Sequence, residues 1–93
     1  MTYKIRQSIP AENDLDGIIH YIALKLKKPE AADGLLNEYQ KKLLNLKDNP
    51  RIYGLSRIER FARMGYHRFD FGNYIAFYTI DDRDKIVYIV RIF

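Results

Sequence analysis

The chain contains no cysteine and no tryptophan, and it has only two histidines among its 93 residues. Without cysteine there can be no disulfide scaffold, no thiolate zinc site and no thiol nucleophile. Two histidines cannot by themselves form a histidine-rich metal site. We therefore expect neither a bound metal nor a cofactor.

Long apolar runs are also missing from the sequence. No apolar run follows the charges of the first six residues, so the start does not resemble a signal peptide, and no stretch approaches the roughly 18 apolar residues of a membrane span. The composition, with 47% hydrophobic and 30% charged residues, argues against disorder. We expect one intracellular domain over residues 1–93 that has no contact with a membrane.

The N-terminal half has a strand pattern followed by two helical patterns. Residues 2–7 alternate between apolar and charged side chains, which predicts a short strand. Ser8 as the cap and Pro10 in the first turn predict the start of a helix. A second helix is predicted from Pro29 to the Asp48-Asn49-Pro50 exit. Because the connection between them is so short, the helices should form an antiparallel hairpin.

The C-terminal half predicts a meander of three strands. A loop with a helical turn near residues 56–61 comes first, and period-two alternation then runs over residues 66–71, 74–80 and 85–93. Gly72-Asn73 fits a type II′ turn between the first two of these strands. The fold class is therefore α+β, with the helices packed on one face of a mostly antiparallel sheet.

The alternation also assigns side chains to the two faces of that sheet. Across the Gly72-Asn73 turn, Phe69 and Phe71 fall on a mostly apolar side that should meet the helices. Strict alternation in the last strand places Val87, Ile89 and Phe93 on the same side as Arg91. It places Tyr88 on the opposite side. Since arginine is rarely buried without a partner, we expect Arg68 and Arg91 on the uncovered face.

The excess positive charge is confined to residues 51–68, which we call the arginine segment. Residues 51–68 contain Glu59 as their only acid and five arginines, whereas the rest of the chain has eleven basic and eleven acidic residues. These arginines are Arg51, Arg57, Arg60, Arg63 and Arg68. Together with Tyr66 and other aromatic residues, they suit nucleic-acid binding. The alternatives are a solvated loop with local ion pairs from Glu59 to Arg60 or Arg63, and a docking site for an acidic protein.

Several motifs, taken in order, resemble the RelE/ParE superfamily of toxins from bacterial type II toxin–antitoxin systems. The resemblance covers essentially the whole chain. It rests on these segments: Tyr3-Lys4-Ile5-Arg6; Ala11…Asp14-Leu15…Ile18…Tyr21-Ile22; Pro29…Ala32…Leu35-Leu36; Leu46…Asn49-Pro50; Gly65-Tyr66-His67-Arg68-Phe69…Gly72-Asn73-Tyr74…Phe77-Tyr78; and Ile89-Val90-Arg91-Ile92.

The resemblance implies a bacterial cytoplasmic toxin that blocks growth and is neutralised by a cognate antitoxin. Such antitoxins usually offer an acidic, partly disordered segment, which here should cover the arginines or the uncovered sheet face. RelE-type members cut mRNA on the ribosome, whereas ParE-type members poison DNA gyrase. A truncated module that only binds antitoxin is a further alternative.

Cleavage of mRNA would assign a role to each candidate site residue. The 2′-hydroxyl of the RNA is the nucleophile, so the reaction needs a base, an acid and cations, but no metal. Glu59 resembles the loop glutamate that some RelE-like nucleases use as a base, and Arg68 followed by Arg91 would bind the phosphate. His67 suits proton transfer, or alternatively packs on Tyr78. The remaining candidates would contact RNA or a partner: Arg51, Arg57, Arg60, Arg63 and Tyr66.

The sequence departs from the nuclease pattern in two ways. Ile75 stands where RelE-type enzymes carry an arginine, and the chain stops at Phe93, where the family usually continues with a short tail containing glycine and arginine. Either the tail is absent or the sequence was cut, and the two departures together favour gyrase poisoning or a disabled toxin. The prevalence of mRNA cleavage in the superfamily favours an endoribonuclease, which is the activity expected from the sequence, with gyrase poisoning as the alternative.

Overall fold

The computed structural model describes residues 2–93 and contains one four-stranded sheet with the strand order β1-β4-β3-β2. Only the β1–β4 pair is parallel, and the other two pairs are antiparallel. The elements, in chain order, are β1 (Lys4–Gln7), α1 (Ile9–His20), a π-helical segment (Tyr21–Lys25), α2 (Pro29–Asp48), α3 (Glu59–Arg63), β2 (His67–Phe71), β3 (Tyr74–Asp81) and β4 (Ile86–Ile92). This architecture is the α+β fold predicted from the sequence.

The predicted start of the first helix is confirmed, whereas its end differs from the prediction. The Ser8 hydroxyl accepts a hydrogen bond from the Ala11 amide at 3.0 Å and donates one to the Val90 carbonyl at 2.6 Å. The cap of α1 therefore also fixes this helix to β4. After His20 the backbone widens into the π-helical segment, which the sequence pattern did not indicate. The helical turn predicted near residues 56–61 is α3, which starts three residues later.

The main core lies between α1, α2 and one side of the sheet. Tyr39 of α2 is buried, its ring centroid lies 4.9 Å from that of Phe71, and its hydroxyl donates to Gln7 Oε1 at 2.8 Å. This single side chain therefore connects α2 with both outer strands, β1 and β2. The other members of the buried cluster are Ala11, Leu46, Phe69, Ala76, Tyr78, Val87, Ile89 and Ile92.

The turn between β2 and β3 has the predicted geometry. Gly72 has a φ of +56° while Asn73 has a negative φ, which is the type II′ pattern. A Cβ on Gly72 would lie 2.6 Å from Leu35 Cδ1, so glycine also allows α2 to approach the turn. The predicted register is confirmed: Phe71 lies opposite Tyr74, and the preceding residues of β2 pair in order with the following residues of β3.

A β-bulge in β4 corrects the predicted face assignment. Tyr78 pairs with Ile89 whereas Phe77 pairs with Arg91, so Val90 is one residue more than β3 can match. The bulge allows Ile89 and Ile92, three residues apart, both to face the helices. The expectation from strict alternation was therefore wrong for the first half of the strand: Val87 and Ile89 are buried, and Tyr88 is exposed.

Candidate functional site: the open face and the arginine segment

The sheet has a second side that α1 and α2 leave largely uncovered, and we call it the open face. The strand register places Arg68 and Arg91 on this side, on either side of Phe77 in one row across three strands. The predicted location of the two arginines is therefore correct. The open face consists of Lys4, Arg6, Arg68, Asp70, Ile75, Phe77, Thr79, Asp81, Ile86, Tyr88, Arg91 and Phe93.

Both arginines of this row are already paired with carboxylates. Arg68 donates to Asp70 Oδ1 at 2.7 Å, and its side chain is only 20% exposed. Arg91 forms a two-point ion pair with Asp14, in which Nε lies 2.7 Å from Oδ2 and Nη2 lies 3.1 Å from Oδ1. An external phosphate would have to displace or share these carboxylates to bind the two guanidinium groups.

Asp14 is a member of this site that the sequence-based assignment missed. Its Oδ2 also accepts the Ile92 amide at 3.0 Å, so one carboxylate from α1 holds both the side chain of Arg91 and the backbone of β4. The hydrogen bond from Arg91, more than the bond from Ile92, lowers the pKa of Asp14 below its ordinary value, while partial burial opposes the shift. Because the partners are separated by almost the whole chain, no local motif reveals them.

Replacement of Asp14 by asparagine should lower stability at neutral pH and have less effect in acid. Since the pKa of Asp14 is depressed by folding, its ionised form stabilises the protein fully above its unfolded pKa, and the contribution is lost as the pH falls through the lower folded pKa. We expect a loss of about 1 kcal/mol at pH 7 for Asp14→Asn. Urea unfolding over a pH series measures it, with Asp16→Asn on the same helix as the control. A constant difference down to pH 2 would contradict this expectation.

Arg51 does not lie on the open face, because its side chain connects two other parts of the chain. Its guanidinium makes two hydrogen bonds to Asp82, at 3.0 and 2.5 Å, and the Tyr3 hydroxyl donates to the same carboxylate at 2.7 Å. This hydrogen bonding, from Arg51 first and then Tyr3, depresses the pKa of Asp82 strongly. Arg51, proposed from the sequence as an RNA or partner contact, therefore joins the exit of α2 to the turn between β3 and β4.

The short helix α3 carries the predicted local ion pair. Glu59 accepts from Arg63 one helical turn later, and both side chains are more than three-quarters exposed. Arg60 stacks over the ring of Phe61 at 5.4 Å, and Phe61 in turn contacts Phe77 with centroids 5.8 Å apart. The helix α3 therefore covers one edge of the open face with an aromatic side chain and leaves Glu59 directed to solvent.

His67 packs on the helix side of the sheet. Its ring stacks on that of Tyr78 at 5.3 Å, and its Nδ1 lies 3.2 Å from the Tyr53 carbonyl oxygen. Tyr78 itself is buried and donates its hydroxyl to the Pro50 carbonyl at 2.9 Å. Of the two interpretations from the sequence, packing against Tyr78 agrees with this geometry. His67 and Arg68 are neighbours in β2 and therefore lie on opposite sides of the sheet.

A basic groove of about 400 Å³ runs along the outer edge of β2. Lys42, Arg57 and Arg68 line it, with Asp70 as its acidic member. The segment before α3 closes one end, because the Arg68 amide donates to the Gly54 carbonyl at 3.1 Å. Arg57 and Arg68 are the two members of the arginine segment that line this groove. Tyr66, at the start of this hairpin, packs edge-on against Phe61 at 6.0 Å.

Three exposed residues of the open face were missed by the sequence-based assignment. Lys4 and Arg6 project from β1, and within residues 2–93 neither has a carboxylate within ion-pairing distance. Tyr88 is 41% exposed and lies between Arg6 and Thr79 in one row across three strands. The alternation of the first strand did indicate that Lys4 and Arg6 are exposed. The face of Tyr88 depends on the bulge, which the sequence does not reveal.

Comparison with solved structures shows which proteins share this fold. The fold matches 16 chains of solved structures. One is from the toxin–antitoxin complex RelBE2 of Mycobacterium tuberculosis, with 22% identity, a TM-score of 0.67, and coverage of 99% of this chain and 96% of that one. Another is from the chromosomal ParDE toxin–antitoxin system of P. aeruginosa, with 21% identity, a TM-score of 0.70 and coverage of 98% and 94%. At these identities the likeness concerns the fold.

The family follows from the sequence itself. Residues 5–93 match the family model described as ParE toxin of the type II toxin–antitoxin system parDE. The chain therefore belongs to the ParE toxin family, and the resemblance stated from its motifs is confirmed. Comparison with curated proteins gives no match. Within residues 2–93, no helix combines the length and the apolar character needed to cross a membrane.

Proposed function

We propose that this ParE-family toxin inhibits growth by poisoning DNA gyrase and that it does not cleave mRNA. The observation that carries the proposal is the separation of the candidate proton-transfer groups. Glu59 is exposed on α3 and paired with Arg63, while His67 packs against Tyr78 on the helix side of the sheet. This choice reverses the preference that the sequence alone supported.

RNA cleavage needs a base, an acid and a phosphate-binding cation around one phosphate group. Arg68 and Arg91 supply cations on the open face, but each is engaged by a carboxylate of the protein itself. His67 would have to reach that phosphate through the sheet. Such an arrangement suits recognition of a partner better than general acid–base catalysis.

Ile75 supports the same proposal. It lies on the open face, pairs with Asp70, and exchanges two backbone hydrogen bonds with Phe93 at 2.8 and 2.9 Å. This is the position at which RelE-type members are expected to carry an arginine. Here an apolar side chain occupies it beside the exposed ring of Phe93, so the surface has one cation fewer and more apolar area.

Two parallel assays test the proposal. We expect the purified protein to inhibit supercoiling by gyrase and to stabilise cleaved DNA, while mRNA on translating ribosomes stays intact. The same preparation of protein is used in both assays, and the circular-dichroism spectrum verifies that it is folded. Site-specific cuts in ribosome-bound mRNA together with unaffected supercoiling would refute the proposal.

The second candidate function is mRNA cleavage, and the basic groove beside β2 favours it. Arg57, Arg68 and Lys42 converge there, as a binding site for a phosphodiester backbone would require. The ribosome assay above decides between the two functions. Expression in the absence of an antitoxin identifies the remaining alternative, because a module that only binds antitoxin would not slow growth.

Neutralisation by an antitoxin follows from the family, and we propose an acidic segment as the part that binds. The open face and the adjoining arginine segment present Arg6, Arg57 and Arg60 without carboxylate partners within residues 2–93. An acidic segment that folds on this surface would neutralise these charges and block access to a target. Such a toxin would act in the cytoplasm, where gyrase is found.

A further inference from the structure

We propose that the open face binds a single strand of DNA along the row formed by Arg6, Tyr88 and Thr79. The choice of DNA rests on the proposed action on gyrase. The site itself rests on the strand register, which brings together an exposed aromatic ring, a hydroxyl and an arginine that has no carboxylate partner within residues 2–93.

The positive charges of Arg6 and of Lys4 in the neighbouring row can bind an anion. Lys4 and Arg6 project from the same side of β1, about 6.7 Å apart along the strand. Asp81 lies in the row of Lys4, and its Oδ1 accepts the amides of Arg83 and Asp84 at 3.0 Å each rather than pairing with a cation of β1. Lys4 and Arg6 therefore have no ion-pair partner within residues 2–93 and can follow a phosphate backbone.

The aromatic side chains indicate a single strand rather than a duplex. Tyr88 is 41% exposed and Phe93 is 62% exposed, and both lie on the open face. Within residues 2–93, no hydrogen bond or ring partner holds the Tyr88 side chain. Unstacked bases can lie on such rings, whereas the bases of a duplex are stacked on one another and cannot.

The arginines in the next row limit how far the strand extends. Arg91 lies between Tyr88 and Phe93, stacks over the Phe93 ring at 5.1 Å, and keeps Asp14 as its partner. A strand passing from Tyr88 to Phe93 would meet Arg91 while that ion pair remains formed. The primary contacts are therefore Arg6, Lys4 and the Tyr88 ring, and Arg91 is secondary.

Fluorescence anisotropy with a labelled 15-nucleotide oligo-dT tests the site, and oligo-U and a duplex of equal length serve as comparison probes. We expect Tyr88→Ala to weaken oligo-dT binding about tenfold and Tyr88→Phe to keep it within twofold, since stacking needs the ring and not the hydroxyl. Arg6→Ala should reduce the salt slope of log K by about 0.7, the contribution of one phosphate contact. Arg83→Ala, which removes an equal charge from an exposed turn, should leave the slope unchanged.

Three results would overturn the inference: unchanged binding by Tyr88→Ala, an equal loss with Arg83→Ala, or stronger binding of oligo-U or duplex than of oligo-dT. The melting temperature of each variant verifies that it is folded. The gyrase assay separates this inference from the proposed function. If the unaltered protein leaves supercoiling unaffected, the gyrase proposal is refuted. If Tyr88→Ala nevertheless loses oligo-dT binding, the strand-binding site is still supported.

Discussion

Introduction of a carboxylate at Val87 should unfold the protein under conditions in which the unaltered chain is folded. Val87 of β4 is completely buried on the helix side of the sheet and pairs with Ile80 of β3. An unpaired charge there has neither water nor a cation to compensate its desolvation, so we expect Val87→Asp to lower the free energy of unfolding by about 4 kcal/mol or more. Urea unfolding followed by circular dichroism measures the effect.

The adjacent residue provides a matched control for Val87→Asp. Tyr88 lies on the open face beside Arg6 and is 41% exposed, so Tyr88→Asp should lower the free energy of unfolding by only about 1 kcal/mol, the span of strand propensities. Strict alternation without the bulge, as read from the sequence, predicts the opposite order of effects. A larger loss for Tyr88→Asp than for Val87→Asp would therefore show that the bulge at Val90 is not present in solution.

Truncation of Tyr39 to alanine should have the next largest effect on stability. The ring contacts Phe69 and Phe71, and the hydroxyl donates to Gln7 Oε1 at 2.8 Å. A large aromatic deletion of this kind costs about 3–5 kcal/mol, because the surrounding side chains refill the cavity only in part. For a domain of 93 residues that is a large share of the total stability, so thermal unfolding should begin near ambient temperature.

Two further variants separate the contributions of Tyr39. Tyr39→Phe keeps the ring and removes only the bond to Gln7, so it should cost about 1 kcal/mol. Leu44→Ala removes an exposed side chain from the same helix and should change stability by about 0.5 kcal/mol or less. Equal losses for Tyr39→Ala and Leu44→Ala would contradict the assignment of Tyr39 to the centre of the core.

Local signals in the sequence were sufficient for most of the fold. Ser8 and Pro10 determine where α1 begins, and Gly72 determines the turn between β2 and β3. Helix capping and turn geometry each depend on residues that are close in sequence, so both can be predicted from it. The apolar stripes of the helices and the alternation of the hairpin follow from the periods of helix and strand. The family resemblance could be stated from the order of the motifs along the chain, because the residues that form these motifs are also the ones that determine the fold.

The candidate site was predictable only in part. Alternation and the low tendency of arginine to be buried placed Arg68 and Arg91 on the uncovered face, and the structure places them there. The carboxylate partner of Arg91 could not be assigned in the same way. Asp14 is 77 residues from Arg91 along the chain, and no spacing rule connects the two.

The sequence by itself determined the α+β fold, the family and the location of the excess charge in one segment, because composition and short-range periodicity carry that information. Tertiary structure decided which of those arginines remain available to bind a partner. Within that segment, Arg51, Arg63 and Arg68 are held by Asp82, Glu59 and Asp70, respectively. The bulge at Val90 decided that Tyr88 faces the same side as Arg91. One extra residue reverses every later side chain of a strand, and only the packing of Ile89 and Ile92 against the helices determines where it lies.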